Sequence, residues 1–450
     1  MKRLFALLLI LGFGIPLELP AQLAHDVLAN DTLANDGEGA AKKFVAQLSQ
    51  KHFDEAAKAF DAAMTKAMPV ARLEQTWASL TASAGEFQSV RATRKQVKGR
   101  YKIELVDCKF ARANWTIKVV LDRNDRITGL FFLPSKVQEH SIADYVDATT
   151  FTDEEVSFGT DPWIIPGTLS IPKANSNRAS PVVILVLGSG PNDRDESVGA
   201  CKPFKDLAGG LASRGIAVLR YEKRSRAHQT KLADLESLTV HEETVEDVIA
   251  AFNFVQSHPA INKQRIFVIG HSLGGYLVPR IDQAREDRPI AGYVSLNGNA
   301  RSVETLILAQ TRYLAQLDGS VTPKETNRLK LLEGQIDELK TLTVTSPALL
   351  GAPAAYWLDL RDYRANDEIK RVTCPILFLQ GERDYQVTMI DFGLWKESLR
   401  DRTDVHFKSY PSLNHLLIEG SGRSTPEEYD VAGNVAFQVI EDISVWIQNR

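Results

Sequence analysis

The nine residues 268–276, "VIGHSLGGY", set one small polar side chain, Ser272, between Gly270 and the pair Gly274–Gly275. Glycine-rich turns commonly join strands to helices, and serine caps helices well. The same pattern, G-x-S-x-G, also presents a serine on a sharp strand-to-helix turn where a substrate can reach its hydroxyl. Composition alone produces this pattern by chance in about one chain in ten of this length, so the flanking sequence decides. Before it, "RIFVI" (265–269) is an unbroken apolar run; after it, "GGYLVPRIDQA" (274–284) has helical character. That context predicts a strand, a strained turn carrying Ser272 as nucleophile, and a helix. The glycines stand where a close turn leaves no room for side chains.

Working outward, "PVVILVLG" (181–188), "GIAVLRY" (215–221), "AGYVSLNG" (291–298) and "PILFLQG" (375–381) are further short apolar runs, with helical stretches such as 240–255 between them. Continuous apolar strands spaced by helices indicate a mainly parallel sheet buried on both faces. Ligands of such sheets bind at the carboxyl ends of the strands. Residues 300–365 break the alternation. Thr322 and Glu325 read as a capping box with Pro323 in the first turn, and Leu329, Leu332, Ile336 and Leu339 recur at helical spacing. This predicts a helical insertion between two core strands, placed as a lid.

A serine hydroxyl needs a base to take its proton. After a nucleophile on such a turn, an acid and then a histidine follow in chain order. "CPILFLQGERDYQV" (374–387) offers Asp384, with Glu382 as competitor; the later loop position favours Asp384. Two histidines follow. His406 lies inside the strand-like "DVHFKSY" (404–410), whereas His415 sits in the loop "YPSLNHLLIEG" (410–420) and is read as the base. His271 is read as pointing elsewhere on the turn. Oxyanion donors are expected from the N–H of Leu273 and from the Gly-rich turn in "VVILVLGSGPNDRDES" (182–197), with Ser189 or Gly190 as the second donor. In "GAPAAYWLDLRDY" (351–363), Tyr356 and Trp357 are candidates for the wall of a substrate pocket, beside the plainer reading that they anchor lid helices.

The amino-terminal part differs. Lys2 and Arg3 precede the apolar run "LFALLLILGFGIPL" (4–17), and Ala21 or Ala24 follows as a small exit residue. These features describe a secretory signal peptide, residues 1–24, and predict an exported protein, periplasmic or secreted, with no stable membrane span after cleavage. Residues 37–82 read as helices. Strand-like runs follow at 87–97, 101–110, 114–123 and 127–133; in the third, Trp115, Ile117, Val119 and Leu121 share one face. A small α+β domain over 36–135, without a catalytic constellation, is the expectation, followed by the main domain over 150–450.

Hydrophobic content of 44%, charged content of 24% and a net charge of −4 describe an ordinary globular chain and give no reason to expect nucleic acid as a partner. The basic stretch 91–102, "RATRKQVKGRYK", reads as a solvated strand face and turn. Three cysteines, Cys108, Cys201 and Cys374, make no disulfide framework. No H-E-x-x-H, paired C-x-x-C or P-loop occurs, so no metal and no cofactor is expected. Nothing in the residues assigns an oligomeric state.

The motifs "LGSGPNDRD", "AVLRYEKRS", "GHSLGGYL", "LQGERD" and "LNHL" make residues 150–450 resemble α/β-hydrolases of the exported bacterial esterase and dienelactone-hydrolase-like group. The leading domain resembles a small α+β domain of unknown function found ahead of some of these esterases. Leu187 stands where relatives often have histidine, and Glu222 and Ser225 where they usually have Asp and Gly. The resemblance implies an α/β fold with a doubly wound, mostly parallel sheet and hydrolysis of a small-molecule carboxylic ester without a cofactor. A serine peptidase or amidase of the same superfamily is the alternative. A non-catalytic envelope binding protein is a further one, against which a complete Ser272–Asp384–His415 set argues.

Overall fold

The computed structural model describes residues 39–98, 101–134, 140–173, 179–232 and 237–450. The signal-peptide reading of residues 1–24 lies outside the described residues, as do positions 36 and 135, the ends expected for the α+β domain. The chain divides into two compact units, one within residues 16–138 and one beginning at residue 139.

In the smaller unit, helices Ala40–Ser49, Phe53–Ala57, Ala62–Ala67 and Val70–Ala84 precede an antiparallel meander of β1 (Phe87–Lys98), β2 (Tyr101–Phe110), β3 (Asn114–Leu121) and β4 (Ile127–Pro134). Period-2 alternation gives the sheet one apolar face. Val106, Phe110, Ile117, Val119 and Leu121 pack there against Phe44, Leu48, Leu73 and Trp77 of the helices. Asp61 starts the third helix by accepting the Met64 N–H at 2.7 Å, satisfying a donor that the helix itself leaves free.

The larger unit is built on eight strands: β5 (Phe151–Phe158), β6 (Ile165–Pro172), β7 (Ser180–Val186), β8 (Ala217–Tyr221), β9 (Ile261–His271), β10 (Gly292–Leu296), β11 (Ile376–Gly381) and β12 (Val405–Tyr410). Their order is β12-β11-β10-β9-β7-β8-β6-β5, and β6 alone runs against the others. Val182 to Val186 are wholly inaccessible to solvent, as are Val218, Leu219 and Val268. Strands covered on both faces belong to the middle of an α/β sandwich, which is why these runs lack alternation. Each such side chain contributes roughly 1.5–3 kcal/mol of burial. The β5–β6 pair carries no long apolar run on its outer strand: β5 buries only Val156 and Phe158 and leaves Asp153, Glu154 and Glu155 exposed on the sheet edge. Charged residues there discourage pairing with another chain. No described helix is long and apolar enough to cross a membrane.

Between β10 and β11 the insertion forms helices Val303–Ala315, Pro323–Leu339 and Ala354–Leu360. The capping box is present: the Glu325 N–H donates to Thr322 Oγ1 at 3.2 Å and the Thr322 N–H to Glu325 Oε2 at 2.8 Å. Leu332 and Leu339 turn inward to the core of the larger unit.

Thr322→Ala removes one half of that box, at a cost of about 1 kcal/mol. Hydrogen exchange should accelerate about fivefold across residues 323–339 and stay unchanged in β7 and β9. Uniform acceleration across both strands would show that the helix does not open independently of the sheet.

Candidate active site

Ser272 follows β9 with φ 52° and ψ −116°, in the left-handed half of backbone space that a side chain disfavours. Such a residue costs on the order of 1–3 kcal/mol and persists only where its surroundings hold it. A Cβ on Gly270 would sit 2.3 Å from the Gly274 carbonyl oxygen, and one on Gly274 would sit 2.4 Å from that of Val186. Backbone thus packs on backbone, and only hydrogen fits. The Ser272 N–H donates to Leu296 O of the neighbouring strand at 3.0 Å. Ser272 itself is half-buried amid buried neighbours, a hydroxyl held at the rim of a covered site.

Asp384 and His415 follow β11 and β12, and both are buried. His415 Nδ1 lies 2.6 Å from Asp384 Oδ2. The other carboxylate oxygen accepts the N–H groups of Gln386 at 2.7 Å and Val387 at 2.9 Å. With Nδ1 committed to Asp384, Nε2 is the ring nitrogen left to exchange a proton. The backbone of His415 is tied down too, its carbonyl accepting from Asn297 Nδ2 at 2.7 Å. Of the competitors, Glu382 is exposed and accepts from Ser409 Oγ at 2.8 Å, and His406 is exposed on β12.

The turn after β7 is clamped through the Gly188 peptide groups. Buried Lys223 donates from Nζ to the Gly188 carbonyl at 2.8 Å, and Asn192 Nδ2 approaches the same oxygen at 3.2 Å. Lys223 is held in turn by Glu243, 3.4 Å away on a single π-helical turn, His241–Val245. In a trans peptide, a carbonyl and the next N–H point in opposite directions. Anchoring Gly188 O therefore turns the Ser189 N–H the other way. Ser189 and Leu273 both line the cleft at Ser272, and neither N–H donates to a described group. Gly190, the other candidate donor, turns the chain with φ 90° and does not line the cleft.

His271 belongs to a second buried pair. Its Nδ1 is 2.9 Å from Glu196 Oε2, and its Nε2 is 2.9 Å from the His415 carbonyl oxygen. Burial opposes a charge on this ring, but the Glu196 carboxylate outweighs it and, helped by the His415 carbonyl, holds the imidazole above its ordinary pKa. Glu196 Oε1 accepts the Gly188 N–H at 2.6 Å.

The cleft is lined by Val303, Leu306, Gln310 and Tyr356 of the insertion together with Asn299 and Gln386. The two aromatic candidates therefore separate. Tyr356 faces the cleft; Trp357 does not, because its indole N–H donates to Leu349 O at 2.6 Å and anchors the insertion. Glu222 pairs with Arg194 at 2.9 Å, away from the cleft. Sequence reasoning missed Glu196, Lys223 and Asn297. The one available signal was charge immediately after a buried strand, as in "YEKRS". The described residues contain no group of three or more His, Cys, Asp or Glu able to hold a metal ion.

Residues 181–429 match the alpha/beta hydrolase family, and residues 41–130 match a family described as a protein of unknown function, DUF3887. Esterase EstD of Thermotoga maritima is 35% identical over 409 residues, covering 90% of this chain and 93% of that protein. An uncharacterized peptidase, YtmA of Bacillus subtilis, is 21% identical over 206 residues, 46% of this chain and 63% of that one. Among solved structures, the esterase domain of a Rhodothermus marinus protein aligns with a TM-score of 0.40 at 16% identity, over 66% of this chain and 98% of that one. An eight-stranded sheet, a serine elbow after β9 and similarity to the Thermotoga protein along almost the full chain make this protein a member of the α/β-hydrolase family.

Proposed function

We propose that this hydrolase is a serine carboxylesterase that works through an acyl-enzyme and prefers short acyl groups. The observation that carries the reading is the 2.6 Å bond between buried His415 and Asp384, together with a cleft lined by the strained Ser272. Ser272 Oγ attacks the acyl carbon while His415 Nε2 takes its proton, and Asp384 holds the imidazole in orientation and stabilises its charge. The carbonyl oxygen becomes an oxyanion facing the N–H groups of Ser189 and Leu273; one such donor is typically worth about 10²–10³ in kcat. Collapse breaks the ester C–O bond, and His415 returns the proton to the departing alcohol. Water, activated by His415, then releases the acid and regenerates Ser272. Similarity to a named esterase over nine-tenths of the chain supports the ester over the amide. The similarity to YtmA, a protein described as a peptidase, favours a second reading as an amidase or peptidase.

Ser272→Ala and His415→Ala should each lower kcat by about 10⁴–10⁶, with little further loss in the double variant, because the two side chains act as a unit. A covalent phosphonate should label the wild type and not Ser272→Ala. Additive losses, or labelling that persists in Ser272→Ala, would overturn the mechanism, and peptide anilides hydrolysed faster than esters would move the reading to the amidase.

Chain-length preference follows from the walls. Val303, Leu306 and Tyr356 wall the cleft beside Ser272 closely, which suits a small acyl group. Each fitting methylene gains about 0.8 kcal/mol until the space is full. Acetyl and butyryl esters should exceed octanoyl and palmitoyl esters in kcat/KM. Tyr356→Ala should move the optimum to longer chains, and Trp357→Ala should leave it in place. A palmitoyl optimum in the wild type would refute the short-chain assignment.

From the charged, apolar and small-residue order of residues 1–24 we also propose export. Amino-terminal sequencing of the mature protein from its native cell should begin after Ala21 or Ala24; an intact Met1 in the cytoplasmic fraction would refute it.

A further inference from the structure

Three loops distant in sequence meet behind Ser272, and one carboxylate and one imidazole join them. Glu196 is 3% exposed and adopts φ 50°, a conformation a glutamate rarely takes. That backbone turns its side chain inward, where Oε1 accepts the Gly188 N–H and Oε2 meets His271 Nδ1. His271 is the residue before Ser272 on β9, and its Nε2 faces the backbone carbonyl of His415. A carbonyl oxygen only accepts, so Nε2 carries a hydrogen. A carboxylate oxygen, Glu196 Oε2, stands 2.9 Å from Nδ1, a close approach that favours the protonated imidazole. Both side chains are buried, at 5% exposure for His271 and 3% for Glu196. The triad steps do not use the pair, yet one end sits on the turn that carries Ser189 and the other on the loop that carries His415.

We propose that Glu196 and His271 are positioning residues for the reaction, a buried carboxylate–imidazole pair that sets the oxyanion turn and the His415 loop in one geometry against Ser272. This rests on the reading of Ser272, His415 and Asp384 as the catalytic triad. The physical reason for such a pair is reach. Ser189, Ser272 and His415 stand on separate loops after β7, β9 and β12, and displacements of about 1 Å cost on the order of 10² in rate. Backbone bonding between neighbouring strands reaches Ser272, whose N–H donates to Leu296 O at 3.0 Å, but among the described residues no such bond joins the Gly188 turn to the His415 loop.

The charged groups facing the pair are Lys223 across the Gly188 carbonyl, His415, whose ring centroid is 4.7 Å from that of His271, and Asp384 behind His415. Phe204 packs edge-on to His271 and brings no charge. Substitutions therefore separate charge from hydrogen bonding. Glu196→Ala loses the Gly188 contact and the proton partner together. Glu196→Gln keeps an acceptor for Gly188 and a donor for a now neutral His271. His271→Gln leaves the Glu196 carboxylate uncompensated, which favours the protonated form of the neighbouring His415 ring.

The test is steady-state kinetics of the full-length protein on an acetyl ester from pH 5 to 9, with unfolding midpoints recorded for each variant. Glu196→Ala and His271→Gln should lower kcat about 10–100-fold with KM within threefold. Glu196→Gln should recover to within about fivefold of wild type. In His271→Gln the acid limb of kcat/KM should move to higher pH by about half a unit to one unit, and in Glu196→Gln it should stay in place. Folded Glu196→Ala and His271→Gln proteins with kcat within threefold of wild type, or an unmoved limb in His271→Gln, would overturn the proposal. If either variant is recovered unfolded, Glu196→Asp decides: it keeps the charge but withdraws it by one methylene. A tenfold fall in kcat at unchanged KM upholds the assignment, and kcat within threefold of wild type overturns it. Ser272→Ala, run in parallel, separates the two levels. Activity persisting there removes the triad reading itself, whereas an inactive Ser272→Ala beside unaffected Glu196 variants removes the positioning pair alone.

Discussion

The constraint on which the site depends is backbone against backbone where β7 passes the serine elbow. The space a Cβ on Gly274 would occupy is 2.4 Å from Val186 O and 3.1 Å from Leu187 O; that of Gly188 is 3.3 Å from Ser272 Cβ. No side chain separates the two loops, so the turn after β7 cannot drift from the serine without opening the sheet. Strain at Ser272, φ 52°, is the local consequence. The wholly buried strands on either side supply the cohesion that sustains it. Everything that acts at the cleft is referred to this contact.

Around it, buried charge is concentrated rather than dispersed. Lys223 with Glu243, His271 with Glu196, and Arg224 with Asp247 at 2.6 Å all lie near loops at the carboxyl ends of strands. Buried ion pairs add little net stability compared with an apolar replacement, yet removing one partner is costly, about 3–5 kcal/mol. Such pairs therefore serve poorly as generic glue and well as directional ties. Lys223 aims a carbonyl, Glu196 holds an amide, and Asn297 joins Gly381 N–H at 2.8 Å to the His415 carbonyl. Each tie fixes a peptide group at or just beyond the end of a strand.

The insertion plays a different part. Its helices contribute Val303, Leu306, Gln310 and Tyr356 to the cleft, while Trp357 binds the insertion to itself through Leu349. Two adjacent aromatics on one short helix point about 100° apart, so one reaches substrate space and the other packs behind. Ser272, Asp384 and His415 thus stand at strand ends, while much of the cleft wall comes from the insertion.

Local chemistry made much of this legible in the chain itself. Unbroken apolar runs marked the parallel strands because burial on both faces erases alternation, and the Gly-flanked Ser272 marked the elbow because only glycine tolerates that approach. Chain order picked out Asp384 and His415, which the fold brings into contact at 2.6 Å. Sequence could not tell Tyr356 from Trp357, nor Ser189 from Gly190, since those differences are directions of side chains and peptide planes. Nor could it reveal Glu196, Lys223 and Asn297. Their partners are 75, 35 and 118 residues away, on other strands, and no local pattern records such a pairing. Periodicity and turn chemistry are properties of neighbours in the chain; which loops meet behind the serine depends on sheet order and burial, which only the tertiary structure decides.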